Sequence, residues 1–201
     1  MDLLSGIITL VILIFSAIFH EVAHGFVAER FGDPTARLAG RLTLNPKKHI
    51  DPFMSIILPL LLILSGSPVI FGAAKPVPID PFNLKEGRKD IALVALAGPL
   101  TNVLIAILAS FLLKITNIDI FFIIVRLNLL LAIFNLLPIP PLDGSKVFAL
   151  VLPQKEANLY LSLGSIGMFI VFFLLLFPFG GFSLGGLISN LLSFSERLLG
   201  V

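Results

Sequence analysis

Apolar residues run almost unbroken from Leu3 to Phe19, interrupted only mildly by Ser5, Gly6, Thr9 and Ser16. The helical pattern continues to about Phe31, where Gly32-Asp33-Pro34 stops it. At 1.5 Å per residue this is about 42 Å of helix, enough to cross a bilayer with one end protruding. Later apolar runs cover Ile91 to Leu113 with Lys114 as a far anchor, Ile118 to Leu137, Asn158 to Phe177, and Phe182 to Leu199. The run from Phe53 to Phe71 differs, because Pro59 and Ser65-Gly66-Ser67-Pro68 break it. Basic residues flank it on both sides: Arg30, Arg37, Arg41, Lys47 and Lys48 before, Lys75, Lys85, Arg88 and Lys89 after. The positive-inside rule places both flanks in the cytoplasm, which predicts a re-entrant segment. Between these runs, Ala36 to Leu44 partly alternates and Asn45 to Pro52 is rich in turn residues, predicting a short β hairpin or extended strand. Gly72 to Arg88 reads as a Pro-rich polar loop, and Gly144 to Leu152 as a short interfacial helix ended by Pro153. The pattern predicts an all-α multi-pass membrane protein with about four to six membrane segments.

Composition agrees with that pattern. The 201 residues are 57% hydrophobic and 13% charged, with a mean hydropathy of +1.07, far from a soluble globular domain. The first apolar run lacks the basic n-region and small-residue cleavage site of a signal peptide, so it reads as a retained helix. The net charge of +2 is spread over loops without a basic stripe, which excludes nucleic acid as a partner. There is no cysteine, so a metal here would need histidine and carboxylate ligands.

Only three histidines exist, and two stand in His20-Glu21-Val22-Ala23-His24, inside the first apolar helix. Four residues apart, they lie on one helical face, so both rings can reach one metal while Glu21 holds a water. His20 is about 26 Å along the helix, which puts the site in the half of the membrane near the helix's exit. A catalytic zinc takes three protein ligands and leaves one position open, so a third is needed. His49 and Asp143 are the candidates; Asp143, at the end of an apolar run, is favoured because a carboxylate at that depth is costly unless it binds a cation or a polar partner.

Three motifs then carry a family resemblance: His20-Glu21-x-x-His24, Gly98-x-x-x-Asn102, and Asn135-x-x-Pro138-x-Pro140-x-Leu142-Asp143-Gly144. In order and depth, over about residues 15 to 150, they closely resemble the site-2 protease family of intramembrane zinc metalloproteases. The loops Leu44 to Asp51 and Ala74 to Pro78 resemble those of its small bacterial and archaeal members. The resemblance implies one Zn2+ held by His20, His24 and Asp143, with Glu21 as the catalytic base. It further implies that Asn102 and Asn135 engage substrate backbone or an oxyanion. The implied substrates are transmembrane proteins or peptides, met within the lipid bilayer of a prokaryotic plasma membrane, with the active site towards the cytoplasm. The expected organisation is one intramembrane domain, with a catalytic core over about residues 1 to 152 and membrane helices over about 157 to 199, and without a PDZ domain.

Each residue also has a plainer reading. Asn102 fits as interhelical glue beside Gly98, Asn135 as a partner for carbonyls freed near Pro138, His49 as a loop histidine, and Asp143 as an Asp-Gly turn. Arg126 reads as snorkelling or pairing with Asp119. A metal or proton transporter, or an inactive scaffold binding membrane segments, are the alternative functions; the intact Glu21 between the histidines suits water activation better than either.

Overall fold

A computed structural model of the chain describes residues 3–65, 74–178, 180–181 and 183–201. The first apolar run forms one helix, α1 (Leu3–Arg30). Its end is closed by the Asp33 backbone N–H donating to the Ala28 carbonyl at 3.0 Å, with Gly32 at φ +110°, a conformation open to glycine. Asp33 is fully buried. Its carboxylate accepts from the Thr35 N–H (3.0 Å) and hydroxyl, the Asp80 N–H (2.7 Å) and Asn83 Nδ2 (3.0 Å), tying the end of α1 to the loop before the next long helix.

Burial alone would raise the Asp33 pKa, but these donors, led by Thr35 and Asn83, hold it below the ordinary carboxylate value. The stabilisation is therefore complete above the unfolded pKa of about 3.9 and is lost as pH falls through the lower folded value. Asp33→Ala is expected to destabilise the detergent-solubilised protein by about 3 kcal/mol near neutral pH, with the deficit shrinking below pH 4. Thermal unfolding against pH measures it; an equal deficit at pH 3 and pH 7 would remove the charge from the explanation.

The segment after α1 corrects the β expectation. Among the described residues there is no strand: Thr35–Leu38 is a short helix, α2, and Pro46–Lys48 is a 3-10 turn. Gly40 at φ +63° turns the chain, and the Asn45 side chain accepts from the Lys47 N–H at 3.1 Å to start the turn. Pro46 lacks the N–H a ladder would need. Side chains replace the missing ladder: Arg41 donates to the carbonyls of Lys75 (2.7 Å) and Pro76 (3.2 Å), and one backbone bond joins the Lys75 N–H to the His49 carbonyl at 2.7 Å. In the predicted re-entrant run, Pro52–Ile57 is a π-helical stretch that leads into α3 (Leu58–Leu64). Residues 66–71, which hold most of its predicted break, lie outside the described residues.

Helix α4 (Arg88–Thr116) follows, and α5 (Ile120–Asn135) returns beside it. α4 lies between α1 and α5, burying Ala92, Ala95, Gly98, Asn102, Ala106 and Ala109 along one face. Small residues at helical spacing let the backbones approach closely, as helices do in lipid. Ala28 at the end of α1 packs with Val94 near the start of α4, so the two helices run antiparallel. A proline turn then leads to α6 (Asp143–Phe148), which runs on into a 3-10 turn at Ala149–Val151. α7 (Gln154–Ser162), α8 (Gly164–Leu176) and α9 (Leu184–Leu199) complete the chain. Val171 of α8 with Leu184 and Ile188 of α9 covers Leu137 and Leu142 of the proline turn. Arg126 pairs not with Asp119 but with Glu196 of α9, at 3.8 Å.

Among the described residues, α1 and α4 are long and apolar enough to cross a membrane, and α7 with α8 passes the same test as one bent pair. α5, at 16 residues, is a shorter apolar helix. Leu4, Ile7, Val11 and Phe15 form an exposed apolar stripe on α1, and Leu93, Leu100, Leu104 and Phe111 do the same on α4. Such outward stripes suit lipid, and the chain is an integral membrane protein.

Candidate metal centre

His20 and His24 stand one turn apart on α1, both buried, with their Nε2 atoms 3.0 Å apart. The proline turn after α5 brings Asp143 to the same point, its Oδ2 lying 3.2 Å from each Nε2. The turn closes tightly there: a Cβ on Gly144 would sit 2.1 Å from the Leu136 carbonyl oxygen, so only glycine follows Asp143 without displacing backbone.

Each ligand is oriented from behind. His24 Nδ1 lies 2.7 Å from the Val94 carbonyl, which can only accept, so Nδ1 carries the proton and Nε2 presents its lone pair. His20 Nδ1 lies 2.6 Å from Asn102 Oδ1, which has the same effect. Lys146 donates to Asp143 Oδ1 at 2.8 Å, leaving Oδ2 towards the histidines.

The three donor atoms form a triangle with edges of 3.0, 3.2 and 3.2 Å. Tetrahedral zinc, with bonds of about 2.0–2.1 Å, spaces its ligands by about 3.3 Å, so the triangle fits it. Beside the triangle stands Gly98 of α4, where a Cβ would lie 2.5 Å from His20 Nε2 and 2.6 Å from His24 Nε2. A methyl group there would fill the space a metal needs, and glycine keeps it open.

Glu21, next to His20, is half-buried, and its Oε2 accepts from the Val77 N–H at 2.8 Å. The loop Ala74 to Asp80 is thereby fastened at Glu21, at Arg41 and at Asp33.

The sequence assignments fare differently in this geometry. His20, His24 and Asp143 come together, and Glu21 adjoins them. Asn102, expected to face substrate or an oxyanion, is instead fully buried behind His20. Its oxygen serves the ring and its Nδ2 donates to the Ser16 carbonyl (3.3 Å) and Asn128 Oδ1 (2.9 Å), so the plainer structural role is nearer the geometry. Asn135 is half-buried and donates to the Leu131 carbonyl of its own helix at 2.9 Å. His49 is outside the triad, fully buried with Nε2 against the Thr43 carbonyl at 2.8 Å. Burial, with the Arg41 charge nearby, pushes its pKa below the usual histidine value, as suits a neutral structural ring. Sequence reading missed Val77, Lys146 and the partners Ser16 and Asn128. Asn128 had a signal, a polar residue inside an apolar run, whereas a backbone N–H such as that of Val77 has none.

The sequence model of Peptidase family M50 matches residues 8–118 and 112–178. The chain belongs to peptidase family M50. This is the site-2 protease family that the three motifs resemble. Among M50-like relatives, a Bacillus subtilis protein provisionally named zinc metalloprotease YwhC is 39% identical over 86% of this chain and 81% of its own length. The provisionally named zinc metalloprotease Rip2 of Mycobacterium tuberculosis is 33% identical over 85% of this chain and 67% of its own. An archaeal protein of Methanocaldococcus jannaschii, also provisionally named a zinc metalloprotease, is 34% identical over 73% and 71%. No solved structure is significantly similar to the chain.

Proposed function

We propose that this M50 chain is an intramembrane zinc metalloendopeptidase that cleaves peptide bonds in or near transmembrane segments of other membrane proteins. The observation that carries the reading is a zinc-shaped triad with an adjoining carboxylate, built on a helix that is long and apolar enough to span a bilayer. Zinc, when bound, supplies a Lewis acid that lowers the pKa of water and polarises a peptide carbonyl.

The chain's own residues supply the rest. His20 and His24 through Nε2, and Asp143 through Oδ2, would hold the metal, with Lys146 offsetting the carboxylate charge on the other oxygen. The Val77 N–H fixes Glu21 Oε2, leaving Oε1 to take a proton from the attacking water. As the new C–O bond forms and the C–N bond breaks, Glu21 hands that proton to the departing amide nitrogen. Asn135, half-exposed at the mouth of the proline turn, is the proposed donor to substrate backbone or the developing oxyanion. Asn102 is assigned to holding His20. A transmembrane substrate must unwind locally, because a helix keeps its carbonyls in its own hydrogen bonds.

His24 is six residues before the end of α1, about 9 Å from the basic loops, so cytoplasmic water can reach the site. With the basic loops inside, this supports a site towards the cytoplasmic side of the membrane; a prokaryotic plasma membrane and about four to six crossings are part of the same proposal.

Glu21→Gln is expected to keep one zinc per chain while cleavage of a reconstituted single-span peptide falls about 10²- to 10⁴-fold. Elemental analysis and a gel-based cleavage assay read the two quantities. Zinc-loaded protein that cleaves no such substrate, or undiminished cleavage by the variant, would overturn the proposal.

A further inference from the structure

Behind His20 a set of buried polar side chains continues away from the triad, through Asn102 to Asn128 of α5 and back to Ser16 of α1. All three are buried, and Asn102 and Asn128 have no exposed surface at all. We infer that Asn128 is a positioning residue which, through Asn102, sets the ring tautomer of His20 and thereby the zinc affinity of the site. This rests on the zinc reading above.

The direction of every bond follows from partners that can only accept. Asn128 faces the Ile124 carbonyl at 2.9 Å, so the atom there is its Nδ2, which also donates to Ser16 Oγ at 2.9 Å. Its Oδ1 is therefore turned to Asn102, which must offer Nδ2 in return. The same Nδ2 meets the Ser16 carbonyl, a second acceptor that fixes Asn102 the same way round. With both amide hydrogens of Asn102 engaged, only Oδ1 remains for His20, and Nδ1 must carry the proton. Nε2 is left as the lone-pair atom facing Asp143 and His24. In this dry environment a reversed amide would set acceptor against acceptor and leave buried polar atoms unpaired. Without Asn128, Asn102 loses one of the two acceptors that prevent its amide from flipping, and a flipped amide would present N–H to His20.

The test is a double-mutant cycle on zinc affinity, measured by chelator competition in purified protein. Asn128→Leu, which keeps the branched shape but removes the hydrogen-bonding groups, is expected to weaken zinc binding about 10- to 100-fold, the range for partners behind metal-bound histidine. Asn102→Leu is expected to do at least the same, and the double variant no more than Asn102→Leu alone, since Asn128 acts only through Asn102. Additive losses, or unchanged zinc affinity in Asn128→Leu, would overturn the inference.

A second measurement needs no variant. With only three histidines, ¹⁵N-histidine NMR of the zinc-free protein resolves each ring, and Nδ1 of His20 is expected to carry hydrogen. A bare Nδ1 at His20 would overturn the inference even if Asn128→Leu failed to fold. Failure of the zinc reading would look different, as unmutated protein with no zinc while the His20 ring still showed the assigned tautomer.

Discussion

Gly98→Ala is expected to leave the protein folded and empty of zinc. The added methyl would lie 2.5 Å from His20 Nε2 and 2.6 Å from His24 Nε2, where real Cβ atoms do not sit. Both rings are held from behind, by Asn102 and by the Val94 carbonyl, so neither can retreat without giving up a buried hydrogen bond. The helix itself would not object, because alanine favours a helical backbone by about 1 kcal/mol over glycine. The rings must give way, so zinc is expected to fall from one per chain to near none and cleavage to background, while a broken buried hydrogen bond, at about 1–3 kcal/mol against a helix gain of about 1 kcal/mol, leaves the zinc-free thermal midpoint unchanged at best and otherwise lowered. Elemental analysis together with thermal unfolding separates the two. A Gly98→Ala protein carrying a full zinc complement would show that the metal does not lie in the space beside this glycine.

Asp143→Ala should have a comparable effect by a different route. It removes the third donor and leaves the Lys146 ammonium, now without its carboxylate, close to the two imidazoles. A cation beside a two-histidine site opposes a second cation, so zinc should be absent even when supplied in excess. Binding should also cease to stabilise the fold. In the unmutated protein, free zinc at 1,000 times its Kd is expected to add about 4 kcal/mol, read as a rise in thermal midpoint, and in Asp143→Ala none. His49 offers no replacement, since it stands outside the group of side chains whose donor atoms converge. Should Asp143→Ala keep its zinc, the ligand set derived from the triangle would have to be abandoned.

Much of the site was legible because its chemistry conflicts with its surroundings. Two histidines and a glutamate in a hydrocarbon run, and an aspartate at the end of another, are costly unless they act together, and the helical period puts His20 and His24 on one face. The long helices α1 and α4 were legible for a related reason: in lipid the backbone must satisfy itself, so a long apolar run has few alternatives. The segment from Thr35 to Asp51 was misread because partial alternation is a weak signal. The chain is held there by side chains that reach partners outside its own sequence neighbourhood, Arg41 reaching Lys75 and Pro76, and Asp33 reaching Asp80 and Asn83.

Asn102 shows where reading by residue type stops. An amide four residues after a glycine in an apolar helix fits equally as glue, as an oxyanion donor or as a ligand's partner, and the choice depends on which atoms of which helices lie opposite it. The sequence by itself determined that this is a membrane protein, that His20, Glu21 and His24 share one turn of a long apolar helix, and that Asp143 calls for a cation or a polar partner, because each follows from local periodicity or the cost of burying charge. Only the tertiary structure decided that α4 and α5 meet α1 so that Asn102 and Asn128 lie behind His20 and Gly98 keeps the metal's space open. Those contacts with α1 join residues 74 to 112 positions apart in the chain, and their direction is set by the packing of three helices, which no single stretch of sequence encodes.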